Sequence, residues 1–357
     1  MIPVMFKIPG IGLEIPGYGV ALMVGFLLSI MWAVRRAERS GADPDVVLNC
    51  GFIALFGGIL GSRVMYVVHY WEQFTGGTPL QVFLRLLDVR KGGLEVYGGF
   101  ITVVVGVLLY LWIRRYSIRW YLDILAPSAA LGMSIGRIGC FFNGCCFGGV
   151  TDLPCAVRFP YGSPAQLQQW LDRSPGAGLP EEFLVFSSRG VYPDGSAVFP
   201  ISRESIRATD QEIAAQPATS IKHSDIRTQM KHYNLSAADL RALAKQYRSL
   251  PVHPTQLYSA FNLGLLAALL SAVYWRRTRD GQVICTMLLI EPWTRWMLER
   301  LRADNPVDVN TLGGITISQF LAICLSAAGL IGFIILHRQT PRSPYAKLWQ
   351  PPTPAKA

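Results

Sequence analysis

Hydrophobic residues occur in long runs along most of the 357-residue chain, separated by short polar segments. A run of about 20 apolar residues is long enough for a helix to cross the hydrocarbon core of a bilayer. The runs predict seven transmembrane helices, at about 17–34, 47–70, 95–113, 121–142, 254–275, 281–299 and 314–336. The fourth and sixth runs contain charged residues and are the weaker predictions. The pattern predicts an all-α fold, a polytopic membrane helix bundle.

One long segment, residues 149–251, is polar and holds 10 of the 23 acidic residues. Within it SPAQLQQWLDR and SAADLRALAKQYRSL have the apolar spacing of amphipathic helices, and each opens with a serine that can cap the helix. We expect an external lobe. The predicted organisation is transmembrane helices 1–4 in residues 1–148, the lobe in 149–251, helices 5–7 in 252–340 and a disordered tail in 341–357.

Composition agrees with a membrane protein, since 51% of the residues are hydrophobic and only 16% are charged. Basic residues follow every second run: Arg35, Arg36, Arg39, Arg114, Arg115, Arg119, Arg276, Arg277, Arg279, Arg338, Arg342 and Lys347. The positive-inside rule places these loops in the cytoplasm, with the N-terminus outside and the C-terminus inside. Arg85, Arg90 and Lys91 depart from the rule. We interpret the net charge of +10 as topology and contact with anionic lipid, not as nucleic-acid binding.

Several charges lie inside the apolar runs, where an arginine costs about 2.5–3.5 kcal/mol on insertion scales. Arg63 and Arg295 have acidic residues available as partners, namely Glu95, Glu291 and Glu299, so structural ion pairs and functional roles are both open for them. Arg137 differs, because the surrounding GRIGCFFNG supplies glycines and an amide but no acid. A planar guanidinium at the lipid–water boundary suits a lipid phosphate.

Seven cysteines occur in the chain. Cys50, Cys285 and Cys324 stand singly in apolar runs and are expected in the core. Four others follow the fourth run, at Cys140, Cys145, Cys146 and Cys155. A disulfide between Cys155 and one of the adjacent pair is open outside the membrane. The spacing C-x4-C-C lacks a C-x-x-C pair or nearby histidines, so neither a metal nor another cofactor is expected, and a thiol oxidoreductase is a poor match.

Two further strings place polar groups at the ends of apolar runs. VYGGFITVVVG has Tyr97 directly before a glycine pair. LPVHPTQLYSA carries His253, Gln256 and Tyr258, with Pro254 expected in the first helical turn. His253 is interpreted either as a helix-capping residue or as a polar group at the mouth of a cavity, on the same face as Gln256.

These motifs together resemble one family, the bacterial prolipoprotein diacylglyceryl transferases. The strongest matches are G-R-I-G-x-F-x-N-G-x-x-x-G at 136–148 and H-P-T-Q-L-Y at 253–258. Supporting matches are Y-G-V-A-L-M-V-G at 18–25, G-S-R-V-M-Y at 61–66, Y-G-G at 97–99 and R-W-M-L-E-R at 295–300. The set is specific, although each motif alone would be weak.

The resemblance implies a multi-pass enzyme of the bacterial inner membrane. Its expected partners are phosphatidylglycerol, membrane lipid and the signal peptide of a prolipoprotein with its lipobox cysteine. The diacylglyceryl group moves to that cysteine, a thioether forms and glycerol phosphate leaves. The expected catalytic residues are Arg137, Tyr97 and His253. The expected substrate-binding residues are Arg137, Asn143, Gly148, Tyr18, Arg63, Gln256, Tyr258 and Glu299.

The chain departs from the better-known branch of this family at several positions. Cys140 and Cys145 stand where that branch has asparagine and glutamate, and Val252 and Ser259 replace an arginine and a glutamate. Tyr97 stands where a histidine is expected as base. The resemblance therefore leaves the base and a second phosphate-binding cation unassigned. We favour Tyr97 as a hydrogen-bond donor to the lipid head group, with His253 as the alternative base.

A different class of protein, a non-enzymatic transporter of an anion or phosphorylated lipid, would also place arginines inside the membrane. Transporters often contain internal repeats with interrupted spans in matching halves. The sequence has no internal repeat, which favours the transferase.

Overall fold

The computed structural model describes residues 4–8, 13–74, 93, 95–186, 198–207, 224–303 and 317–339, with single residues at 78, 82, 85, 86 and 213. The helices are α1 (Gly17–Ser40), α2 (Pro44–Phe52), α3 (Gly58–His69), α4 (Val96–Ile113), α5 (Ile118–Asn143), α6 (Pro164–Leu171), α7 (Arg203–Arg207), α8 (Ser224–His232), α9 (Ala237–Ala244), α10 (Thr255–Arg276), α11 (Gln282–Glu299) and α12 (Ile317–Gln339). A π-helical turn, Ile53–Gly57, joins α2 to α3. The predicted disordered tail lies outside the described residues.

Strands are few and short. Antiparallel β1 (Val4–Ile8) and β2 (Leu13–Pro16) precede α1, and antiparallel β3 (Leu184–Phe186) and β4 (Val198–Pro200) lie in the polar segment. The described chain is otherwise mainly helical, as the hydrophobic pattern predicted.

Six helices in the described residues are long and apolar enough to cross a membrane: Gly17–Ser40, Pro44–His69, Val96–Ile113, Ile118–Asn143, Thr255–Arg276 and Gln319–Arg338. They coincide with six of the seven predicted spans. The remaining span, predicted at 281–299, forms helix α11. This helix carries Glu291, Arg295 and Glu299, and its charge keeps it outside the group of six. The multi-pass helical class is therefore confirmed with six spans, and the seventh stays a prediction.

Large apolar side chains cover the outer faces of the spanning helices. More than half of the surface of Met23, Phe56, Leu60, Phe100 and Phe261 is exposed. In water such a surface would be unfavourable, because large exposed apolar patches are driven to associate. In a bilayer these faces meet lipid tails, which agrees with membrane insertion.

The described chain divides into two compact units. The first comprises Met1–Val24, Met133–Asn262 and Trp293–Ala322, and the second comprises Gly25–Gly132, Leu263–Pro292 and Ile323–Ala357. The second unit has a core contributed by six helices, with Ala33, Val47, Leu111, Ile124, Leu270 and Val283 almost completely buried.

Two arginines that the sequence assigned to cytoplasmic loops are buried within this second unit. Arg36 is 2% exposed and donates hydrogen bonds to Ile124 O at 2.9 Å and Ser128 Oγ at 3.0 Å, and it lies 4.5 Å from the centre of the Trp32 ring. Arg277 is 4% exposed. These two residues hold helices together through their guanidinium groups, and the sequence did not indicate this burial.

Helices α3 and α4 pack closely through glycine. A Cβ atom at Gly61 would lie 2.6 Å from Gly98 O, and one at Gly99 would lie 2.7 Å from Gly58 O. Real Cβ atoms do not approach backbone oxygen so closely, so no larger residue fits here. The glycines of the Y-G-G and G-S-R strings therefore serve helix packing.

The polar segment folds around its own apolar core. Ser163 caps α6 by accepting from Gln166 N, and Ser236 forms a reciprocal capping box with Asp239 at the start of α9, which confirms both predicted caps. Helix α9 ends at Ala244, earlier than predicted. The core is formed by Tyr161, Phe183, Val185, Ile201, Ile206, Ile213, Ile226, Ala237, Leu240 and Ala244.

Candidate functional site

The chain reverses direction at the end of α5. Gly144 has a φ of 81° and its N–H bonds Cys140 O at 2.9 Å, which closes the helix with the left-handed cap that glycine favours. Cys146 also has a positive φ, of 59°. A side chain other than glycine, asparagine or aspartate is uncommon in this conformation, and the surrounding contacts must hold it there.

This reversal gathers three cysteines. The Sγ atoms of Cys140, Cys145 and Cys146 all lie within 4.8 Å of one another, and the three side chains are partly buried. All seven cysteines of the chain lie in described residues, and none forms a disulfide. The linear spacing did not indicate this cluster, because its geometry depends on two left-handed residues.

The electrostatics of the cluster favour a thiolate at Cys146 and a neutral thiol at Cys145. Hydrogen bonds from the Cys140 and Cys145 thiols lower the pKa of Cys146 well below its ordinary value, and the charges of Arg302 and Arg137 act in the same direction against the effect of burial. Although Cys140 and, more weakly, the Asn143 side chain act to lower the pKa of Cys145, the neighbouring Cys146 and burial raise it overall. Sulfur and positive charge therefore meet at the end of a membrane-spanning helix.

Arg137 lies one turn before Cys140 on α5 and is partly buried. Within the described part of the chain, no acidic side chain pairs with its guanidinium group. Tyr18 lies within electrostatic range of Arg137 and of the three cysteines, and a Cβ atom at Gly139 would lie 3.2 Å from the Tyr18 ring. The fold thus brings together Tyr18, Arg137 and Asn143, three of the residues singled out by the sequence.

The H-P-T-Q string fixes the cysteine loop by direct hydrogen bonds. Thr255 Oγ1 donates to Cys146 O at 2.6 Å, and Gln256 Nε2 donates to Cys145 O at 2.7 Å. Gln256 is 1% exposed and its Oε1 atom is buried with no hydrogen-bond partner among the described residues. Its buried amide therefore positions the loop, a contact that the sequence did not indicate.

Gly148 and His253 join the two signature strings through the backbone. Gly148 N donates to His253 O at 3.0 Å, and His253 N donates to Gly149 O at 3.0 Å. A Cβ atom at Gly148 would lie 2.6 Å from the His253 Cβ and 2.8 Å from Leu301 O. Gly148 is thus required for packing. His253 lies before the first residue of α10, so it does not share a helical face with Gln256 as expected.

The remaining predicted residues of this unit surround that junction. The His253 ring is edge-on to Tyr258 with 6.2 Å between ring centres, and its Nδ1 atom is buried with no partner among the described residues. The Tyr258 hydroxyl lies 3.1 Å from Cys155 Sγ. Glu299 is 8% exposed and lies 3.7 Å from Arg302, a cation that sequence reasoning overlooked because it follows the end of the sixth apolar run.

Two predicted site residues belong to the second unit. Arg63 is 8% exposed and donates to the carbonyl oxygens of Arg85, Gly93 and Leu86 at 2.7, 3.0 and 2.9 Å. The guanidinium group therefore organises the segment after α3, which neither the ion-pair nor the substrate interpretation foresaw. Tyr97 is the second residue of α4 and is 48% exposed.

Comparison with known proteins agrees with the motifs. The profile of the family described as prolipoprotein diacylglyceryl transferase matches residues 3–335. Over 162 residues the chain is 38% identical to a phosphatidylglycerol–prolipoprotein diacylglyceryl transferase of Rhodopirellula baltica, covering 45% of this chain and 33% of that protein. A protein of the same name from Clostridium tetani is 32% identical over 159 residues, covering 44% and 61%. One from Proteus mirabilis is 25% identical over 354 residues, covering 96% and 95%. The matches to the first two thus span less than two thirds of those relatives.

Proposed function

Because the chain belongs to the prolipoprotein diacylglyceryl transferase family, we propose that it transfers the diacylglyceryl group of phosphatidylglycerol to the lipobox cysteine thiol of a prolipoprotein. A thioether forms and glycerol phosphate leaves. The observation that carries the proposal is Arg137, a partly buried arginine in the family signature with no acidic partner among the described residues. A positive charge in a spanning helix is costly and needs a counter-ion, which a lipid phosphate supplies.

In this proposal Arg137 binds the phosphate of the lipid and stabilises the negative charge that grows on it as the glyceryl carbon–oxygen bond breaks. Arg302 is the proposed second cation, since its charge acts on the same cysteine as that of Arg137. It takes the role left open by Val252. Tyr18 and Asn143 complete the polar wall, and Gln256, Gly148 and His253 hold the loop in place.

Tyr97 and Arg63 have separate roles in the proposal. Half of the Tyr97 side chain is exposed, and its phenol is a hydrogen-bond donor of the kind that a lipid head group accepts. Arg63 acts indirectly, through the segment whose carbonyl groups it binds. Tyr258 and Glu299 support the junction behind the cysteine loop.

The proposed location is the bacterial cytoplasmic membrane, with the N-terminus and the lobe outside and the C-terminus inside. Alternating basic loops support this orientation. The lobe has its own buried core and capped helices, which supports a folded body able to receive the signal peptide of the substrate. Its role as a receiving surface is inferred from its position in the sequence alone.

The test is transfer by the full chain in detergent or nanodiscs. Phosphatidylglycerol labelled in its acyl chains is incubated with a lipobox peptide, and the thioether product is identified by mass spectrometry. We expect product from the native chain, almost none from Arg137→Ala, and native levels from Arg114→Ala, which removes an exposed arginine directly after α4. A native chain that binds the lipid and makes no thioether contradicts the proposal.

A further inference from the structure

The cluster of Cys140, Cys145 and Cys146 has the chemistry of a metal site. We propose that these three thiolates bind a zinc ion whose fourth position takes the thiol of the lipobox cysteine and holds it as the attacking thiolate. The inference rests on the proposed function, and it supplies the activation of the thiol that the replacement of the family histidine by Tyr97 leaves unassigned.

The donor set selects the metal. Thiolates are soft ligands that favour zinc and copper(I), whereas magnesium and calcium prefer oxygen. Two sulfur atoms bound tetrahedrally to one zinc lie about 3.8 Å apart, given a Zn–S bond of about 2.3 Å. The three Sγ atoms are already within 4.8 Å of one another. Small rotations of the side chains therefore bring them into a common coordination sphere.

The surroundings are suited to a zinc–thiolate centre. Zinc with three thiolates carries one net negative charge, and the charges of Arg137 and Arg302 act on this cluster. The Asn143 side chain lies near the Cys145 thiol, where it could serve as a second-sphere donor to a metal ligand. Thr255 and Gln256 fix the carbonyl groups of Cys146 and Cys145, so the loop is held before any metal arrives.

Three protein ligands and an open fourth position distinguish catalytic from structural zinc sites. The three cysteines are partly buried, which leaves access from outside the protein. A thiol that coordinates zinc loses its proton, because the metal stabilises the thiolate. The site thus provides a nucleophile for thioether formation without a protein base.

The transfer step balances as follows. The substrate thiol binds zinc and releases its proton to water. The thiolate sulfur then donates an electron pair to the glyceryl carbon that carries the phosphate, and the carbon–sulfur bond forms. The carbon–oxygen bond breaks, and its electron pair leaves on the phosphate oxygen of glycerol phosphate beside Arg137. Neither zinc nor sulfur changes oxidation state.

The test combines metal content with ligand counting. The full chain is purified under reducing conditions, and zinc is measured by elemental analysis in the native protein and in Cys140→Ser, Cys145→Ser and Cys146→Ser. Cys324→Ser is the matched control, since it removes an exposed thiol of α12. We expect stoichiometric zinc in the native and control proteins and loss to background in the other three.

X-ray absorption at the zinc edge keeps the test independent of how well the variants fold. We expect three sulfur ligands in the native protein and a fourth when a lipobox peptide is added, but not with a peptide whose cysteine is replaced by serine. Native protein without zinc, zinc retained by the cluster variants, or a persistent disulfide within the cluster overturns the site. An unchanged ligand set on adding peptide, as when His253 fills the fourth position, overturns the activation.

Activity separates this inference from the proposed function. Transfer by a zinc-free native chain would disprove the metal site and leave the proposed function standing. A chain that binds zinc and the peptide thiol but makes no thioether from phosphatidylglycerol would contradict the proposed function instead. Removal of zinc with a chelator is expected to reduce transfer at least tenfold, with recovery when zinc is added back.

Discussion

Two polar clusters in the described helices differ in how deeply they are buried and in how fully their polar groups are hydrogen-bonded. In the second unit Asp123 is completely buried and accepts hydrogen bonds from Gly281 N at 2.7 Å and Ile284 N at 2.9 Å, with Arg277 at 3.6 Å. Arg277 also lies 3.4 Å from Asp280 and donates to Tyr274 O at 2.7 Å.

In the first unit, by contrast, Arg137 and the three cysteines are only partly buried, and no acidic side chain of the described residues pairs with Arg137. Nearby polar atoms, Gln256 Oε1 and His253 Nδ1, are buried with no partner in the described chain. A buried charge whose hydrogen bonds are satisfied stabilises one fold, whereas incompletely satisfied groups with access from outside are available to a ligand. The cluster of Asp123 and Arg277 is therefore interpreted as structural, and the cluster of Arg137 and the three cysteines as a ligand-binding or catalytic site.

The largest expected effect is on the satisfied cluster. Asp123→Ala removes one of the two carboxylates that face the buried Arg277 and leaves the backbone N–H groups of Gly281 and Ile284 without their acceptor, so we expect a loss of about 3–5 kcal/mol of stability. Thermal unfolding in detergent measures it, and Asp152→Ala, at an exposed aspartate, is the control. An unfolding temperature equal to that of the native chain would show that the cluster of Asp123 and Arg277 does not stabilise the fold.

Substitution of Arg137 tests the proposed catalytic role of the cluster in the first unit. Arg137→Lys keeps the charge but loses the planar fork that holds two phosphate oxygens, so we expect a fall of about 10²–10³ in kcat with little change in unfolding temperature. The measurement pairs transfer kinetics with thermal unfolding. Native turnover by Arg137→Lys would exclude the two-point contact, and native turnover by Arg137→Ala would exclude the phosphate role.

A smaller effect is expected where the two signature strings meet. Thr255→Val preserves the shape of the side chain but removes the hydroxyl that donates to Cys146 O. Loss of a hydrogen bond to a buried carbonyl costs about 1–3 kcal/mol. We expect transfer to fall by about tenfold while the lipid still binds. Equal losses in lipid binding and turnover would mean that Thr255 supports the whole unit and not the cysteine loop.

The smallest effect is expected at Tyr97. If its hydroxyl donates to the lipid head group, Tyr97→Phe should lose about 1 kcal/mol of binding, roughly fivefold in KM, with turnover largely kept. Turnover that still increases with pH through the range where the substrate thiol ionises excludes Tyr97 as the base. An inactive Tyr97→Phe together with an active Tyr97→His would instead show that this position handles the proton.

Much of the fold could be predicted from local pattern. The spans at 17–34 and 254–275 correspond to helices Gly17–Ser40 and Thr255–Arg276, because about 20 apolar residues in a row suffice to cross a bilayer. The serine caps could also be predicted from the sequence, since capping depends on residues three apart in the chain. The span at 281–299 was less certain, because its charges give no sign from sequence alone of whether they face protein or lipid.

Individual side chains were harder to assign. Arg36 and Arg277 have the same sequence context as the exposed Arg114, yet they are buried and bonded to partners distant in the chain. Arg63 was expected to meet an acid or a phosphate, and its hydrogen bonds to three backbone carbonyl groups were not foreseen. The chemistry of an arginine is fixed, but its partner depends on which segment folds over it.

The sequence by itself determined the spanning helices and the capped helices of the lobe, and it indicated Arg137 as the candidate phosphate-binding residue, because each depends on residues that are neighbours in the chain. Only the tertiary structure decided that Cys140, Cys145 and Cys146 meet. Their approach requires left-handed turns at Gly144 and Cys146 and hydrogen bonds from Thr255 and Gln256, more than 100 residues away. Contacts between segments so far apart form only when the whole unit folds, and linear spacing carries no measure of them.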